Sequence, residues 1–249
     1  MDKRFFIPGV VLAVISIVCA ALAVYIYTDD GKVAGGPDTN SVSSAVEDEQ
    51  KPYLSPVDFD SLYKKSEDVC GWLTIPETDI SYPVAQHKTN DSYYLKRSLD
   101  GVRSINGTLF TEKTYNSTDF NDPVTAIYGH DMKSGAMFGL LQEQYETSAG
   151  FEEHKEIIVY CPDRELHYEV FAAVPYSKRH ILHYYGSFKE KETIDEFVDE
   201  LYNIRAFGAH FDNNIKVSSS DRLLILSTCL KGDISRRYLV VARLKSEIK

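Results

Sequence analysis

DRLLILSTCLKGDISRRYLVVARL, residues 221–244, holds two apolar runs separated by a short polar stretch. Residues 221–229 read as a buried strand ending at Cys229, and residues 236–244 as the next strand. LKGDIS between them is a polar loop with a glycine. Two apolar strands joined so closely form an antiparallel hairpin. The end of one strand then lies beside the start of the next, so Cys229 shares one end of the sheet with Arg236 and Arg237. Alternation sets Arg237, Leu239, Val241 and Arg243 on one face, and Arg236, Tyr238, Val240 and Ala242 on the other. A guanidinium beside a thiol favours the thiolate, the nucleophilic form. It also holds a carbonyl oxygen as that oxygen gains charge. A plainer account fits the hairpin equally: a buried cysteine and a solvated surface arginine. Ser227, two residues before Cys229, shares its face of the strand, where it either touches a substrate or satisfies local backbone.

Upstream, short apolar stretches rich in β-branched and aromatic residues recur between turn residues. They are Trp72–Ile75, Thr108–Phe110, Val124–Tyr128, Ile157–Tyr160 and Tyr168–Val174. Their composition is that of strands. One longer helix is predicted at about 190–207, where Ile194, Phe197, Val198, Leu201 and Ile204 fall at helical spacing and charges fill the other face. Ser187 and Thr193 each begin a capping-box pattern there. A shorter helix is predicted after Ser55-Pro56, with Phe59, Leu62 and Tyr63 on one face. Mostly strands, one closing helix and short helices elsewhere predict a mainly β, α+β fold: a small closed β-barrel with helical decoration.

The chain has 249 residues, and residues 5–27 contain no charge. As a helix this segment reaches roughly 34 Å, enough to cross a hydrocarbon core. Lys3 and Arg4 precede it and Asp29 and Asp30 follow it, which sets residues 1–4 in the cytoplasm and the rest outside. Ala21-Leu22-Ala23 resembles a cleavage site, but the apolar run is long for a cleaved signal and continues past it. The expectation is therefore a single-pass plasma-membrane protein held in lipid by residues 5–27. Residues 28–52 are polar and rich in Gly, Ser, Asp and Glu, the composition of a flexible tether. Residues 53–249 are left as one extracellular domain large enough for a core.

A formal net charge of −10 argues against nonspecific nucleic-acid binding, which rests on basic residues meeting phosphates. Of four cysteines, Cys19 lies in the apolar span, while Cys70, Cys161 and Cys229 fall outside it. Three is odd, so at least one extracellular thiol is unpaired or pairs between chains. Cys70 and Cys161 sit beside apolar residues and read as structural. No CxxC or Cys/His metal spacing occurs, and His180 and His183 have no further ligand placed by sequence, so no metal is expected.

Val124–Tyr128 runs into Gly129-His130-Asp131, so His130 stands at a strand end, where an imidazole can enter a cleft. A cysteine and a distant histidine are the basic equipment of cysteine nucleophiles. At this point several segments, in order, resemble one family. YGHDMKSGAMFGLL (128–141) is similar to the histidine-bearing motif of class B sortases, ILSTC (225–229) to their TLxTC motif, and RRYLVVARL (236–244) to the arginine-bearing strand that follows. VCGWLTIPETDISYPVAQ (69–86) resembles the family's early Gly-Trp, Ile-Pro and Tyr-Pro-Val run. The helix at about 190–207 fits the connection that class B carries before the cysteine strand. Ile225 replaces the first Thr of TLxTC at a position read as core. Asp131 replaces an Asn that often follows the histidine, and a carboxylate there favours a charged imidazole. Asn90-Asp91-Ser92-Tyr93-Tyr94-Leu95 resembles a family segment with its first two residues interchanged.

The resemblance implies a sortase barrel and a cofactor-free, two-step acyl transfer. Cys229 is then the nucleophile, Arg237 the oxyanion partner and His130 the acid and base. Ser227, Thr228 and Leu95 are implied substrate contacts. The implied donors are secreted proteins with a C-terminal sorting signal. The implied acceptor is an amine of the cell-wall peptide or of another protein. The same residues serve a cysteine peptidase that gives the acyl group to water. A membrane-tethered binding domain that kept the fold and lost catalysis is the alternative from a different class.

Overall fold

The computed structural model describes residues 53–249. The short N-terminus 1–4, the span 5–27 and the tether 28–52 lie outside the described residues. Among the described residues, no helix is long and apolar enough to cross a membrane.

Nine strands form one sheet: β1 (Val69–Thr74), β2 (Ser81–Ala85), β3 (Leu109–Phe110), β4 (Val124–Tyr128), β5 (Glu156–Tyr160), β6 (Glu165–Ser177), β7 (His210–Phe211), β8 (Leu223–Leu230) and β9 (Asp233–Ile248). The order β5-β1-β2-β3-β4-β8-β9-β6 closes on itself because β5 also pairs with β6. Eight strands thus make a closed barrel, as the sequence led one to expect. β7 lies outside the ring, paired to β6 at Ala172 and Ala173. The β2–β3 and β4–β8 pairs are parallel.

Two cores explain why β8 and β9 read as unbroken apolar runs. Leu224, Leu226, Tyr238, Val240 and Ala242 point into the barrel with Leu73, Val84, Ile127 and Phe138. Leu223, Ile225, Leu239 and Val241 face outward into a second core with Phe171, Val174, Tyr185 and Phe197. Each fully buried Leu, Ile or Val contributes about 1.5–3 kcal/mol. With both faces buried, the alternation that marks a half-exposed strand disappears. Ile225 is fully buried, as its core reading required.

The outer core is roofed by α4 (Ile181–Tyr184) and α5 (Glu192–Tyr202), which lie in the chain between β6 and β7. Short α1 (Phe59–Tyr63), α2 (Leu141–Tyr145) and α3 (Ser148–Glu153) are the other α-helices among the described residues. α5 is shorter than the predicted 190–207 helix. Asn203 ends it, and Ile204 still packs on the outer core from beyond the helix. Neither capping box forms. Ser187 sits in a 3₁₀ turn at φ +62°, and Thr193 lies inside the helix with its hydroxyl donating to the Glu190 carbonyl at 2.5 Å. α1 is capped by Asp58, whose carboxylate accepts from the Ser61 amide at 3.0 Å. Its Phe59 and Leu62 are buried, while Tyr63 is 38% exposed.

Candidate active site

The hairpin turn is tighter than the polar loop LKGDIS implied. β8 continues through Leu230 and β9 begins at Asp233, so only Lys231 and Gly232 turn, with Gly232 at φ +81°. Glycine adopts that left-handed backbone without the steric cost a side chain would bring. Cys229 therefore lies one residue inside its strand. The ladder passes from Leu230 opposite Asp233 to Cys229 opposite Arg237, leaving Ile234, Ser235 and Arg236 in a bulge. Such a bulge bends its strand and re-aims side chains.

Cys229 and Arg237 are cross-strand partners on the outer face, and each is half-buried. Arg237 Nη1 donates to Cys229 Sγ at 3.7 Å. The same nitrogen donates to the bulge carbonyls of Arg236 at 3.1 Å and Ile234 at 3.4 Å. The bulge thus anchors the guanidinium, and all these bonds use one nitrogen.

His130 arrives on β4. Tyr128 stands in register with Ser227 on β8, and the Gly129 amide donates to the Ser227 carbonyl at 3.1 Å. Carried two places past Tyr128, that parallel register sets His130 level with Cys229. Gly129 makes the exit possible: a Cβ there would lie 2.5 Å from Leu109 Cδ2 and from Phe138 Cδ2. The loop is closed by the Phe138 amide donating to the His130 carbonyl at 3.0 Å. His130 Nε2 lies 2.6 Å from the Leu95 carbonyl oxygen, which only accepts, so Nε2 carries the proton. Among the described residues, that imidazole bonds to the Leu95 carbonyl and not to Asp131. Its own carboxyl is shifted up by burial.

The remaining candidates divide. Leu95 is at the surface and tied to His130 through its carbonyl. Ser227 is buried, two residues before Cys229 on the same face of β8. Thr228 alternates to the barrel side, 2% exposed, with its hydroxyl oxygen buried and unpartnered. Cys70 and Cys161 are buried free thiols, and burial pushes each up to about 12.

Two groups beside the pair were not singled out from sequence. Tyr128 is held well above its usual ionisation range by burial, with neighbouring Glu112 pushing the same way and Arg237 pulling back. Glu112 bridges to His180 Nε2 at 3.0 Å, tying the segment after β3 to the start of α4. Tyr128 was legible in principle, since it ends the strand two residues before His130. Glu112 is placed by tertiary folding alone.

A thiol and a guanidinium facing each other on a barrel wall, with an imidazole just past the end of the adjoining strand, form the equipment of a cysteine acyl-transfer enzyme. Comparison with known proteins agrees. The sortase domain family matches residues 73–245. Sortase B of Listeria monocytogenes is 33% identical over 208 residues, covering 81% of this chain and 76% of that protein. The Staphylococcus aureus sortase B–substrate complex superposes with a TM-score of 0.65 at 26% identity, covering 78% of this chain and 87% of that one. The structure of sortase B from Listeria monocytogenes gives 0.61 at 29% identity, covering 75% and 99%. The chain belongs to the sortase family, in its class B branch, and is a cysteine-dependent transpeptidase.

Proposed function

We propose that the protein is anchored in the plasma membrane by residues 5–27, with residues 1–4 cytoplasmic and the tether 28–52 carrying the domain outside, and that it joins secreted proteins to an amine of the cell wall. Its donor is the C-terminal sorting signal of such a protein. The Cys229 thiolate attacks the scissile carbonyl, a C–S bond forms, and the oxygen gains negative charge that Arg237 holds. His130 gives a proton to the departing amine as the C–N bond breaks, which leaves a thioester on Cys229. The incoming amine attacks that thioester, His130 takes its proton, and the thiolate leaves. No cofactor enters either step.

The observation that carries this reading is the 3.7 Å approach of Arg237 Nη1 to Cys229 Sγ across one rung of the ladder. That geometry serves nucleophile and oxyanion together. The test is mass spectrometry of the full-length protein with a library of sorting-type peptides. A thioester on Cys229 that an added amine discharges supports transpeptidation. A thioester discharged only by water assigns a peptidase. Absence of any adduct, with Cys229 unreactive toward thiol reagents, assigns a binding domain.

A further inference from the structure

His130 is steered by main chain. Its Nε2 meets the Leu95 carbonyl oxygen at 2.6 Å, across 35 residues of sequence. A cysteine–histidine pair works when a third group orients the imidazole. Here the ring bonds to a peptide carbonyl and not to the neighbouring Asp131 carboxylate.

That carbonyl belongs to a 3₁₀ turn, Tyr93–Lys96, which is pinned on both sides of Leu95. The Tyr94 carbonyl accepts from the Thr108 amide at 3.0 Å, and the Lys96 carbonyl from the Ser104 amide at 3.0 Å. Tyr94 is 2% exposed and fastens the turn to the body of the domain. Its hydroxyl donates to Asp68 Oδ2 at 2.9 Å and lies 3.1 Å from Ser66 Oγ. Gly107 packs against the same turn with φ +63°. A Cβ there would lie 2.7 Å from the Tyr94 carbonyl oxygen and 2.9 Å from that of Leu95. Glycine meets both demands, the left-handed backbone and the close approach.

A carbonyl has no proton to give, so the nitrogen bonded to it stays an N–H in the neutral ring and in the charged one. The bond at one ring nitrogen then settles the role of the other. Nδ1 holds the lone pair of the neutral imidazole and the additional proton of the imidazolium.

We infer that Nδ1 of His130 is the nitrogen that moves the proton in acyl transfer, and that Tyr94 and Gly107 are positioning residues that hold the Leu95 carbonyl against Nε2. The inference rests on the acid and base role proposed for His130. In the first half-reaction the Nδ1 proton passes to the departing amine as the C–N bond breaks, and the ring is left as the Nε2–H tautomer. In the second, the incoming amine bonds to the thioester carbon, Nδ1 takes the proton that the amine sheds, and the C–S bond breaks to release the thiolate. Nε2 keeps its proton throughout, so the ring serves both steps without turning over.

The test uses the full-length protein in detergent with 15N-labelled histidine, first as Cys229→Ala, in which no thiolate keeps the ring charged. The chain has seven histidines, and the signals lost in His130→Gln assign His130. A two-bond 1H–15N spectrum at about pH 9, above the usual histidine range, separates the tautomers. His130 should show the Nε2–H form alone, and Tyr94→Phe should mix in the other form. The Nδ1–H form or a mixture before Tyr94 is changed overturns the inference. With Cys229 restored, Tyr94→Phe should lower kcat of amine-dependent transfer about tenfold with little change in KM, a part of the roughly 10²–10⁴ that a placed acid and base contributes. Gly107→Ala should lower kcat further in the molecules that fold, and Tyr94→Phe decides the matter where none do. Unchanged kcat in Tyr94→Phe, or a tautomer that it leaves unmixed, overturns the inference as well. If no thioester forms on Cys229, the proposed function fails and the proton route with it, while the spectrum still upholds or overturns the hold on His130.

Discussion

Arg237 stands directly across the β8–β9 ladder from Cys229, and its guanidinium is held toward the sulfur by two carbonyls of its own bulge. Position, and not charge alone, distinguishes this arginine. Arg237→Lys keeps the cation but loses the planar fork. Turnover of a sorting-type peptide should fall roughly 10²–10³-fold, the scale of losing one oxyanion donor. Alkylation of Cys229 by iodoacetamide should fall much less. Parallel losses in both assays would show that Arg237 acts only on the thiol.

Burial keeps Cys70 and Cys161 neutral near pH 7, since both thiols are pushed up to about 12. The thiolate is the reactive form. Native protein treated briefly with iodoacetamide should carry the label on Cys229 and not on Cys70 or Cys161, while denaturant should open both. Cys161→Ala should cost about 1 kcal/mol in a urea titration, as for removal of one buried group. It should spare turnover per folded molecule. A well-folded but inactive variant would return Cys161 to the site.

Gly129 is where the chain leaves β4 and carries on to His130. An alanine methyl would collide with Leu109 and Phe138. Overpacking of this kind costs typically 1–3 kcal/mol. Gly129→Ala should lower the denaturation midpoint and also slow turnover of the molecules still folded, because relief of the clash moves His130. Unchanged turnover in the folded fraction would show that the exit of β4 tolerates displacement.

His167 lies between Glu156 at 2.9 Å and Glu165 at 3.0 Å. Burial pulls its pKa down, but the two carboxylates outweigh it and the net shift is upward from 6.5. A folded value above the unfolded one stabilises the fold fully below about pH 6.5. That contribution is lost as pH rises through the folded value. Urea midpoints of wild type and His167→Gln should therefore differ at pH 5.5 and converge by pH 8.5. A constant gap across that range would remove the ion-pair explanation.

The proposed orientation also has a direct readout. Protease added to intact protoplasts should digest the domain. Protection that ends only on lysis would reverse the topology.

Much of this site was readable because it is made of strands. β4 runs from Val124 to Tyr128, as its apolar stretch foretold, and Cys229 and Arg237 share one end of the sheet as the hairpin required. Periodicity reports neighbours along one element and says little about partners across the fold. The ladder therefore ran on where a loop was expected, because Leu230 and Asp233 pair despite their polar surroundings. β2 escaped notice because Pro83 interrupts its pattern, and β7 because two residues are too few to show one. Glu112 and His180 meet from positions 68 apart in the chain, and no local rule joins them.

β9 is the last strand in chain order, yet it lies between β8 and β6 in the middle of the sheet. A ribosome delivers the polypeptide from its N-terminus, so β8 is made before β9, its partner on that side. Until residues 233–248 appear, the ring has a gap and Cys229 has no guanidinium opposite it. The β6–β9 pairing that closes the ring joins residues far apart in the chain and forms late. The nascent chain thus carries its sulfur in an unassisted state until that strand is made. Its chemistry is switched on when β9 takes its place beside β8.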